Sequence, residues 1–496
     1  MRSGDTYIGI DLGTSSVKLL LVAEDGTLLG AASEEYPVFY PRSGWSEQNP
    51  EDWYAAVVRG VRKLLAGGGA AAVRGIGFGG QMHGLVALDE SGAVIRPAIL
   101  WNDGRTQKET DWLNTVIGTE TLSAETANIA FAGFTAPKIL WMRENEPENY
   151  ARIAKIMLPK DYLAWRMTGV HCTDYSDASG TLLLDVRNRR WSERMCAACG
   201  VKREWLPRLF ESYEKVGTLL PEAAAELGLS PDIAVCAGAG DNAAAAVGTG
   251  TVTDGACNIS LGTSGTVFIA RDAFSVDPAN ALHSFCHANG KYHLMGCILS
   301  AASSNAWWSG NILGTDDYGR EQAGLESLLG KNEVYYLPYL MGERSPHNDV
   351  NARGAFLGMR ADTDRGRMTL AVLEGVAFAL RDCVEVAKAG GAEIRETRIC
   401  GGGAKSALWR RIVADVLNIP VVRPVLEEGP SLGGAMLAMV ACGACSSAEE
   451  AAEKIVRIRD VTLPDPAEAA AYAQKYKVFR SLYPALKDVF AAMGET

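Results

Sequence analysis

The N-terminal region alternates short apolar runs with polar turns. Apolar residues at 7–10 and 17–22 flank a polar segment at 11–16, and Glu24-Asp25-Gly26 separates the second run from a third at 27–33. Runs of this length bounded by turn residues are typical of strands joined by tight hairpins. The pattern therefore predicts three antiparallel strands at the start of the chain.

The next elements mix helical and strand periodicity. Residues 50–65 have helical spacing and begin with Pro50 and Glu51, which suit the first turn of a helix. A short apolar run at 73–78 predicts a further strand. We expect two more strands, at 85–88 and 94–100, to continue the same sheet.

One short motif occurs twice, about half a chain apart. Five of the six residues of Ile10–Ser15 recur in Ile259–Ser264, and each copy lies between two apolar runs. Alone, Gly-Thr-Ser is a common hairpin turn, but the shared strand–turn–strand setting favours duplication into two similar domains. We place the boundary between Gly240 and Gly255, giving domains 1–248 and 249–496.

The second half contains a further glycine turn. A strand at 397–400 precedes Gly401–Ser406, and a helix is predicted over 407–417, ending before Asn418 and Pro420. Later, glycines over 429–434 should precede a helix at 435–441. The Ala-, Glu- and Lys-rich tail from 447 is expected to be helical and to lie on the outside.

Composition and charge limit the kinds of protein that this chain could be. The 496 residues are 48% hydrophobic and 22% charged with a net charge of −11, which fits a folded enzyme of several domains. An acidic chain without a basic block is a poor partner for nucleic acid or an anionic membrane. The sequence contains no uninterrupted apolar run of about 18 residues, so no membrane-spanning helix is predicted. The 11 scattered cysteines are typical of a reducing cytoplasm.

The repeated turns suit phosphate oxygens. Small residues let an anion approach backbone N–H groups closely, so we expect phosphate contacts at Thr14 and Ser15 and at Gly262-Thr263-Ser264. Asp11 precedes the first turn, where a carboxylate favours a hydrated Mg²⁺, although Asp is also a common turn-capping residue. Gly401–Ser406 lies between a strand and a helix, a setting that accepts nucleotides but also serves simple close packing.

Asp241 has small neighbours on both sides. It follows a strand and the turn Gly238-Ala239-Gly240, and it precedes Asn242 and a run of alanines. It could be a helix N-cap. It could also accept a hydroxyl proton as general base, because no bulky side chain blocks the approach of a substrate.

Two polar clusters could bind a sugar. Gln81, Met82 and His83 follow a strand end, and the second cluster begins with the aromatic Trp101 and continues with Asn102 and Asp103. Sugar sites need several fixed donors and acceptors together with an aromatic wall. The alternative is structural: Asp103 could simply pair with Arg105.

Together these motifs resemble the FGGY carbohydrate kinases of the actin-like ATPase superfamily. The similarity extends in collinear order over nearly the whole chain. It is carried by YIGIDLGTSSVK (7–18), GWSEQNPEDW (44–53), GQMHGLVALD (80–89), RPAILWNDGR (96–105), GFTAPKILW (133–141), LPKDYLAWRMTG (158–169), GDNAAAAVG (240–248), SLGTSG (260–265), HSFCHA (283–288), LPYLMGERSPHND (337–349), LEGVAFAL (373–380) and GGGAKSALWR (401–410).

The resemblance implies an α/β fold of two ribonuclease-H-like domains with a cleft between them. It implies ATP-dependent phosphorylation of a sugar bound mainly by the first domain, with Asp241 as base and Asp11 beside Mg²⁺. The implied sugar ligands are Gln81, Met82, His83, Trp101, Asn102, Asp103, Asp241 and Asn242. The implied ATP ligands are Thr14, Ser15, Gly262, Thr263, Ser264, Gly401, Gly402, Gly403, Ala404 and Ser406.

Met82-His83 and Asp241-Asn242 resemble the members of the family that phosphorylate D-xylulose, whereas glycerol kinases carry Arg-Glu and Asp-Gln there. Two departures from the family pattern are Ala239, where glycine is more usual, and the variable segment Ser303-Ser304-Asn305 near the nucleotide. A kinase for another ketose or polyol, such as ribulose, stays open. A chaperone ATPase is less favoured, because the tail after Ser447 is too short and too Ala-rich for the separate peptide-binding domain that it would need. A filament-forming ATPase is less favoured, because it has no need of the sugar clusters. A homodimer is one arrangement that the sequence allows.

Overall fold

The computed structural model describes residues 4–68 and 72–494, which form a mixed α/β structure. The strands are β1 (Thr6–Leu12), β2 (Ser16–Ala23), β3 (Leu28–Glu35), β4 (Glu47–Gln48), β5 (Val73–Gly80), β6 (Val86–Leu88), β7 (Ala98–Ile99), β8 (Lys155–Met157), β9 (Cys172–Asp174), β10 (Leu184–Asp185), β11 (Arg190–Trp191), β12 (Arg208–Phe210), β13 (Lys215–Thr218), β14 (Ala234–Cys236), β15 (Ala239–Gly240), β16 (Cys257–Leu261), β17 (Gly265–Arg271), β18 (His283–Cys286), β19 (Tyr292–Ile298), β20 (Tyr335–Leu337), β21 (Ala355–Leu357), β22 (Thr397–Cys400), β23 (Val421–Pro424) and β24 (Ile458–Thr462).

The α-helices are α1 (Pro50–Leu65), α2 (Gln107–Trp112), α3 (Thr119–Thr126), α4 (Thr135–Asn145), α5 (Pro147–Ala151), α6 (Pro159–Thr168), α7 (Tyr175–Ala178), α8 (Glu193–Cys199), α9 (Pro221–Leu227), α10 (Asp241–Thr249), α11 (Ala302–Ala306), α12 (Tyr318–Gln322), α13 (Arg365–Ala389), α14 (Ala407–Leu417), α15 (Gly429–Ala441), α16 (Ala448–Ile455) and α17 (Pro466–Gly494). None of the helices formed by the described residues has both the length and the apolar character needed to span a bilayer.

The chain divides into two compact units that are discontinuous in sequence. The first unit comprises residues up to Val252 together with Ser284–His293 and Glu428–Val456. The second comprises Thr253–His283, Leu294–Glu427 and the residues from Arg457 onward. The continuous division at residues 248 and 249 stays a prediction.

The two large sheets repeat one strand order. The strand order of the first sheet is β3-β2-β1-β5-β14-β13, and β15 also pairs with β5. The corresponding order in the second sheet is β19-β17-β16-β22-β23-β24, and an additional edge strand, β18, pairs with β19. In each sheet a hairpin, β1–β2 or β16–β17, lies beside a parallel strand, β5 or β22. The prediction of two similar α/β domains is confirmed by this shared topology.

Several predicted elements are confirmed. β1, β2 and β3 form the antiparallel meander, and α1, β22 and α14 have the predicted bounds. Helix α14 ends as expected, because Asn418 takes a left-handed conformation with φ 53°.

The strands at 85–88 and 94–100 were predicted for the wrong sheet. β6 pairs with β8 and β7 pairs with β4, in separate two-stranded sheets. The reason is that both edges of β5 are already filled, by β1 on one side and by β14 and β15 on the other.

The prediction for the tail was also wrong in part. Helix α17 buries Tyr472, Tyr476 and Phe479 in the core of the second unit, and β24 is a strand at the edge of its sheet. These aromatic residues recur at helical spacing, so they form one apolar face that the Ala-, Glu- and Lys-rich composition conceals.

Helix α15 begins at Gly429, six residues earlier than predicted, because its glycines lie inside the helix rather than before it. They allow its backbone to touch other backbones directly. A Cβ at Gly9 of β1 would overlap the carbonyl oxygen of Ser431, one at Gly248 of α10 that of Gly429, and one at Gly77 of β5 that of Gly434. At these three glycines there is therefore no room for a side chain between α15 and the neighbouring element.

We predict that Gly248→Ala lowers the free energy of unfolding by about 1–3 kcal/mol, the usual penalty of overpacking. In an exposed helix the same substitution would stabilise, because alanine has the higher helix propensity. The measurement is chemical denaturation of the wild type, Gly248→Ala and Gly310→Ala. Gly310 lies in the short π-helix Trp307–Ile312 and has open space around it. Equal stability of the two variants would contradict the backbone contact.

Candidate active site

Asp11 and Asp241 lie at the same level of the first sheet. Asp11 is paired with Gly79 of β5 on one side, and Ala239 of β15 is paired with the same glycine on the other. Asp241 comes two residues after Ala239 and opens α10. Since β1, β5 and β15 run parallel, their carboxyl ends bring both aspartates to one edge of the sheet.

Both carboxyl groups are half-buried and hold their protons more strongly than usual. Burial raises the pKa of Asp11 to about 7, and the negative charge of Asp241 adds to the shift. Lys18 opposes the shift, but it is exposed and forms an ion pair of 3.1 Å with Glu428. Burial also raises the pKa of Asp241 to about 6.

Asp241 accepts hydrogen bonds from its neighbour Asn242 on one of its two oxygens. The backbone N–H and the side-chain amide of Asn242 donate to Oδ1 at 2.7 and 2.9 Å. These bonds lower the pKa of Asp241 and so oppose the effect of burial. Among the residues that the structure describes, none donates a hydrogen bond to Oδ2. That oxygen is therefore available to a substrate, and Asp241 is not the side-chain cap of α10, whose N-cap residue is Gly240.

The first repeated turn has its carbonyl groups bonded and its N–H groups available. The hydroxyl of Tyr36 donates to Gly13 O at 2.5 Å, and Gln48 Nε2 donates to Thr14 O at 2.6 Å. Carbonyl and N–H of one planar peptide point in opposite directions, so these bonds fix the N–H groups of Thr14 and Ser15. Neither N–H donates to any group within residues 4–68 and 72–494. The turn therefore presents two oriented donors.

The second repeated turn uses the same device with different partners. The N–H of Ala302 donates to Gly262 O at 2.8 Å, and the hydroxyl of Ser303 donates to Thr263 O at 2.7 Å. The N–H groups of Thr263 and Ser264 have no acceptor in the described part of the chain. Each unit thus carries one turn that can accept phosphate oxygens.

A cavity of about 840 Å³ opens beside the second turn, wholly within the second unit. Of the predicted nucleotide ligands, it is lined by Gly262, Thr263, Gly402, Gly403 and Ser406. Ser264, Gly401 and Ala404 lie outside the lining. Gly401 shapes the turn instead: its φ is 88°, and a Cβ there would come within 2.7 Å of the carbonyl group of Leu261.

The cavity also has lining residues that sequence reasoning missed. They include Tyr318, Gln322 and Lys405. The hydroxyl of Ser406 caps α14 by accepting the N–H of Trp409 at 3.1 Å, and it donates to Gln322 Oε1 at 2.6 Å. Tyr318 and Gln322 belong to α12, which no motif marked.

His83 is held in place through both its ring and its backbone carbonyl. It takes a left-handed conformation with φ 67°, Nδ1 bonds Gly180 O at 2.8 Å, and its ring stacks on Phe134 at 4.6 Å. Its carbonyl accepts from Thr135 Oγ1 at 3.0 Å and from Lys138 Nζ at 2.8 Å. Burial lowers the pKa of Lys138 to about 7. The sequence motif predicted a role for His83, but no sequence signal predicted its contacts with Thr135 and Lys138.

Met82 and Gln81 connect His83 to the aspartates. A Cβ at Gly240 would come within 3.0 Å of Met82 Sδ, so Met82 lies against the turn before Asp241. The N–H of Gln81 donates to Leu12 O at 2.8 Å, next to Asp11 in β1. The structure therefore brings this predicted sugar cluster and both aspartates together.

The second sugar cluster divides into exposed and buried parts. Trp101 is 42% exposed and donates from Nε1 to Thr14 Oγ1 at 3.0 Å, and Asn102 is exposed beside it. Asp103 is buried and forms an ion pair of 2.7 Å with Arg105, while Ser46 N donates to its Oδ2 at 2.6 Å. The pairing of Asp103 with Arg105 is confirmed, and the geometry gives a sugar contact at Asp103 no support.

A buried charge network lies behind Asp241. The N–H of Gly240 donates to Ser176 Oγ at 3.2 Å, and that hydroxyl donates to Asp174 Oδ2 at 2.5 Å. Asp174 in turn pairs with Lys160 at 2.9 Å, and the surrounding carboxylates hold the pKa of Lys160 well above its usual range against the effect of burial. The network anchors the turn that carries Asp241.

The chain is similar to known proteins in sequence and in structure. The chain is 41% identical over 488 residues to xylulose kinase of Escherichia coli, covering 98% of this chain and 100% of that one. It is 37% identical over 490 residues to xylulose kinase of Bacillus subtilis, covering 98% of each. The crystal structure of a xyloylose kinase from Brucella ovis matches with 42% identity and a TM-score of 0.93, over 98% of this chain and 100% of that chain.

Family models match most of the chain. Residues 6–248 match the N-terminal domain of the FGGY family of carbohydrate kinases, and residues 257–442 match its C-terminal domain. The protein therefore belongs to the FGGY family of carbohydrate kinases.

Proposed function

We propose that this kinase transfers the γ-phosphoryl group of ATP to the 5-hydroxyl of D-xylulose, giving D-xylulose 5-phosphate and ADP. The observation that carries the proposal is Asp241, whose Oδ2 is available to a substrate beside Met82 and His83. The similarity to enzymes named xylulose kinase supports the choice of sugar.

Asp241 acts as the general base. The attacking 5-hydroxyl gives its proton to Oδ2 as its oxygen forms a bond to the γ-phosphorus, and the bond to the leaving oxygen of ADP breaks. A pKa of about 6 suits this step, because the carboxyl is ionised at neutral pH yet basic enough to take a proton. Asn242 holds the other oxygen and so orients the carboxylate.

The sugar is bound by the first unit. Met82 can wall the carbon chain, and His83 offers an imidazole whose orientation is fixed by Gly180 and Phe134. Trp101 supplies an exposed aromatic face, and Asn102 and Asn242 supply amides. Such a set suits a polyhydroxylated chain better than a short polyol.

ATP is bound by the cavity of the second unit, and each repeated turn offers N–H groups that can bind phosphate oxygens. The residues at Asp11 fit a divalent cation, since the charge of Asp241 adds to that of Asp11 and the opposing Lys18 is exposed and paired with Glu428. Among the described residues no group of three or more His, Cys, Asp or Glu could hold a metal, so Asp11 would hold Mg²⁺ mainly through water. The bound cation would supply positive charge to the phosphates.

The sugar preference is tested by steady-state kinetics with D-xylulose, ribulose and glycerol, followed as ADP release. We expect D-xylulose to be the best substrate and glycerol a poor one. His83→Ala should raise KM for xylulose about tenfold, the value of one lost hydrogen bond, and leave KM for ATP almost unchanged. His171→Ala is the matched control, because His171 also bonds a backbone carbonyl, that of Ile156. Equal efficiency on glycerol and xylulose would refute the proposed substrate.

The general base is tested by Asp241→Asn. We expect kcat to fall about a hundredfold to ten-thousandfold with the fold intact, since only the proton acceptor is lost. In the wild type, kcat/KM should decline as pH falls below about 6, because a protonated Asp241 cannot accept a proton. Asp232→Asn, at an exposed carboxylate of the same unit, is the control. A pH profile that stays level well below 6 would place the base elsewhere.

The role of Asp11 is tested by Asp11→Asn. The folded-state pKa of about 7 lies above the usual 3.8, so ionisation destabilises the folded protein as pH rises between these values. Without metal above pH 7, the variant should therefore be more stable than the wild type, by up to roughly 4 kcal/mol, with little difference near pH 4. Mg²⁺ should stabilise the wild type only. A variant that gains equally from Mg²⁺ would disprove the metal role.

A further inference from the structure

Gln48 of β4 joins four separate segments of the first unit. Its side chain is fully buried. Nε2 donates to Thr14 O at 2.6 Å and to Pro37 O at 3.3 Å, while Oε1 accepts from Trp53 Nε1 and from Gln81 Nε2, each at 3.0 Å. All the usual donor and acceptor positions of one amide are therefore used.

The orientation of this amide is unambiguous. Carbonyl groups lie at one end and can only accept, and the indole N–H of Trp53 lies at the other and can only donate. Rotating the amide by half a turn would lose every bond. The amide of Gln48 consequently fixes that of Gln81, whose NH₂ group must face Gln48.

The side-chain carbonyl oxygen of Gln81 has no donor among the residues that the structure describes. Its side chain is buried, and Oε1 accepts no hydrogen bond from the described residues. A buried acceptor without a donor is energetically unfavourable, so this oxygen favours a ligand with hydroxyl groups. It belongs to the cluster Gln81–His83, which the proposed function assigns to the sugar.

Through its Nε2, Gln48 also fixes the first repeated turn. Thr14 O and the N–H of Ser15 belong to one peptide group, so the bond from Gln48 Nε2 sets the direction of that N–H. Thr14 is also held through its hydroxyl, which accepts from Trp101 Nε1 at 3.0 Å. Two residues of the predicted sugar set are thus linked by short hydrogen-bond chains to the turn.

We propose that Gln48 is a positioning residue that orients the Ser15 N–H for the transferring phosphate and the Gln81 carbonyl for a hydroxyl of the sugar. It touches neither ligand itself. The inference rests on the proposed function, because it assigns the Ser15 N–H to ATP and the Gln81 carbonyl to the sugar. Its loss should act on the transition state more than on ATP binding, which depends mainly on the cavity of the second unit.

Two substitutions separate positioning from mere packing. Gln48→Met keeps the length and loses the hydrogen bonds, so kcat should fall about tenfold to a hundredfold, the effect of a small misplacement, with KM for ATP nearly constant. Gln48→Glu keeps both acceptor bonds. While neutral, the introduced carboxyl can donate to Thr14 O, but once ionised it places a negative oxygen against that carbonyl.

The pH profile of Gln48→Glu gives the decisive readout. Burial raises the pKa of a carboxyl, so kcat of this variant should be closest to that of the wild type in acid and should fall as pH rises, whereas the wild type gains activity as Asp241 ionises. Tyr36, which also donates to the turn, stays neutral because burial raises its pKa. A ratio of variant to wild-type kcat that is independent of pH would overturn the proposal.

Trp53→Phe is the matched control, because it removes one bond of Gln48 and leaves those to Thr14 and Gln81. It should lower the melting temperature with little loss of kcat. All assays are run below the melting temperature found for each variant by circular dichroism. If wild type fails to phosphorylate xylulose, the proposed function is wrong; if wild type is active and Gln48→Met turns over equally fast, the positioning role is wrong. If Gln48→Met does not fold, the pH profile of Gln48→Glu still decides.

Discussion

The contact of α15 with the backbones of β1, β5 and α10 is the constraint on which the first unit depends. At Gly9, Gly77 and Gly248 any side chain would overlap a carbonyl oxygen of α15. Packing of this kind leaves no soft side chains that could adjust to a shift of the helix. Because β1 carries Asp11 and α10 begins with Asp241, the position of both aspartates follows from this contact.

This rigid setting makes an unfavourable charge arrangement tolerable. Asp11 and Asp241 are both half-buried, the charge of Asp241 raises the pKa of Asp11, and Lys18 is too exposed to compensate fully. Like charges held together destabilise a fold, and such sites are typical of places where a protein binds a cation or moves a proton. The same region therefore combines an unfavourable charge arrangement with close backbone packing.

In both repeated turns the N–H groups are oriented through hydrogen bonds to the carbonyl groups, but different residues make these bonds. A phosphate turn needs N–H groups that are oriented in advance, and a planar peptide can be oriented through its carbonyl. Tyr36 and Gln48 bind the carbonyls of the first turn, and the start of α11 binds those of the second. The turn sequence is repeated, but the residues that fix its carbonyl groups differ between the two copies.

Much of the fold could be predicted from local pattern. The apolar runs and turn residues determined β1, β2 and β3, the helical spacing determined α1 and α14, and the repeated motif indicated two similar domains. The errors have one cause: whether a segment joins a sheet or a core depends on which edges and faces are already occupied. That is why β6 and β7 left the sheet of β5, and why α17 entered the core of the second unit.

The sequence by itself determined which residues could do the chemistry, since Asp11, Asp241 and His83 stand in motifs of small and polar residues. Only the tertiary structure decided what surrounds them. It buried Asp103 against Arg105, it paired Gln48 with Thr14 and Gln81, and it set Lys138 on the carbonyl of His83. A hydrogen bond joins groups by their position in space, and residues far apart in the chain carry no local signal of the partner that folding gives them.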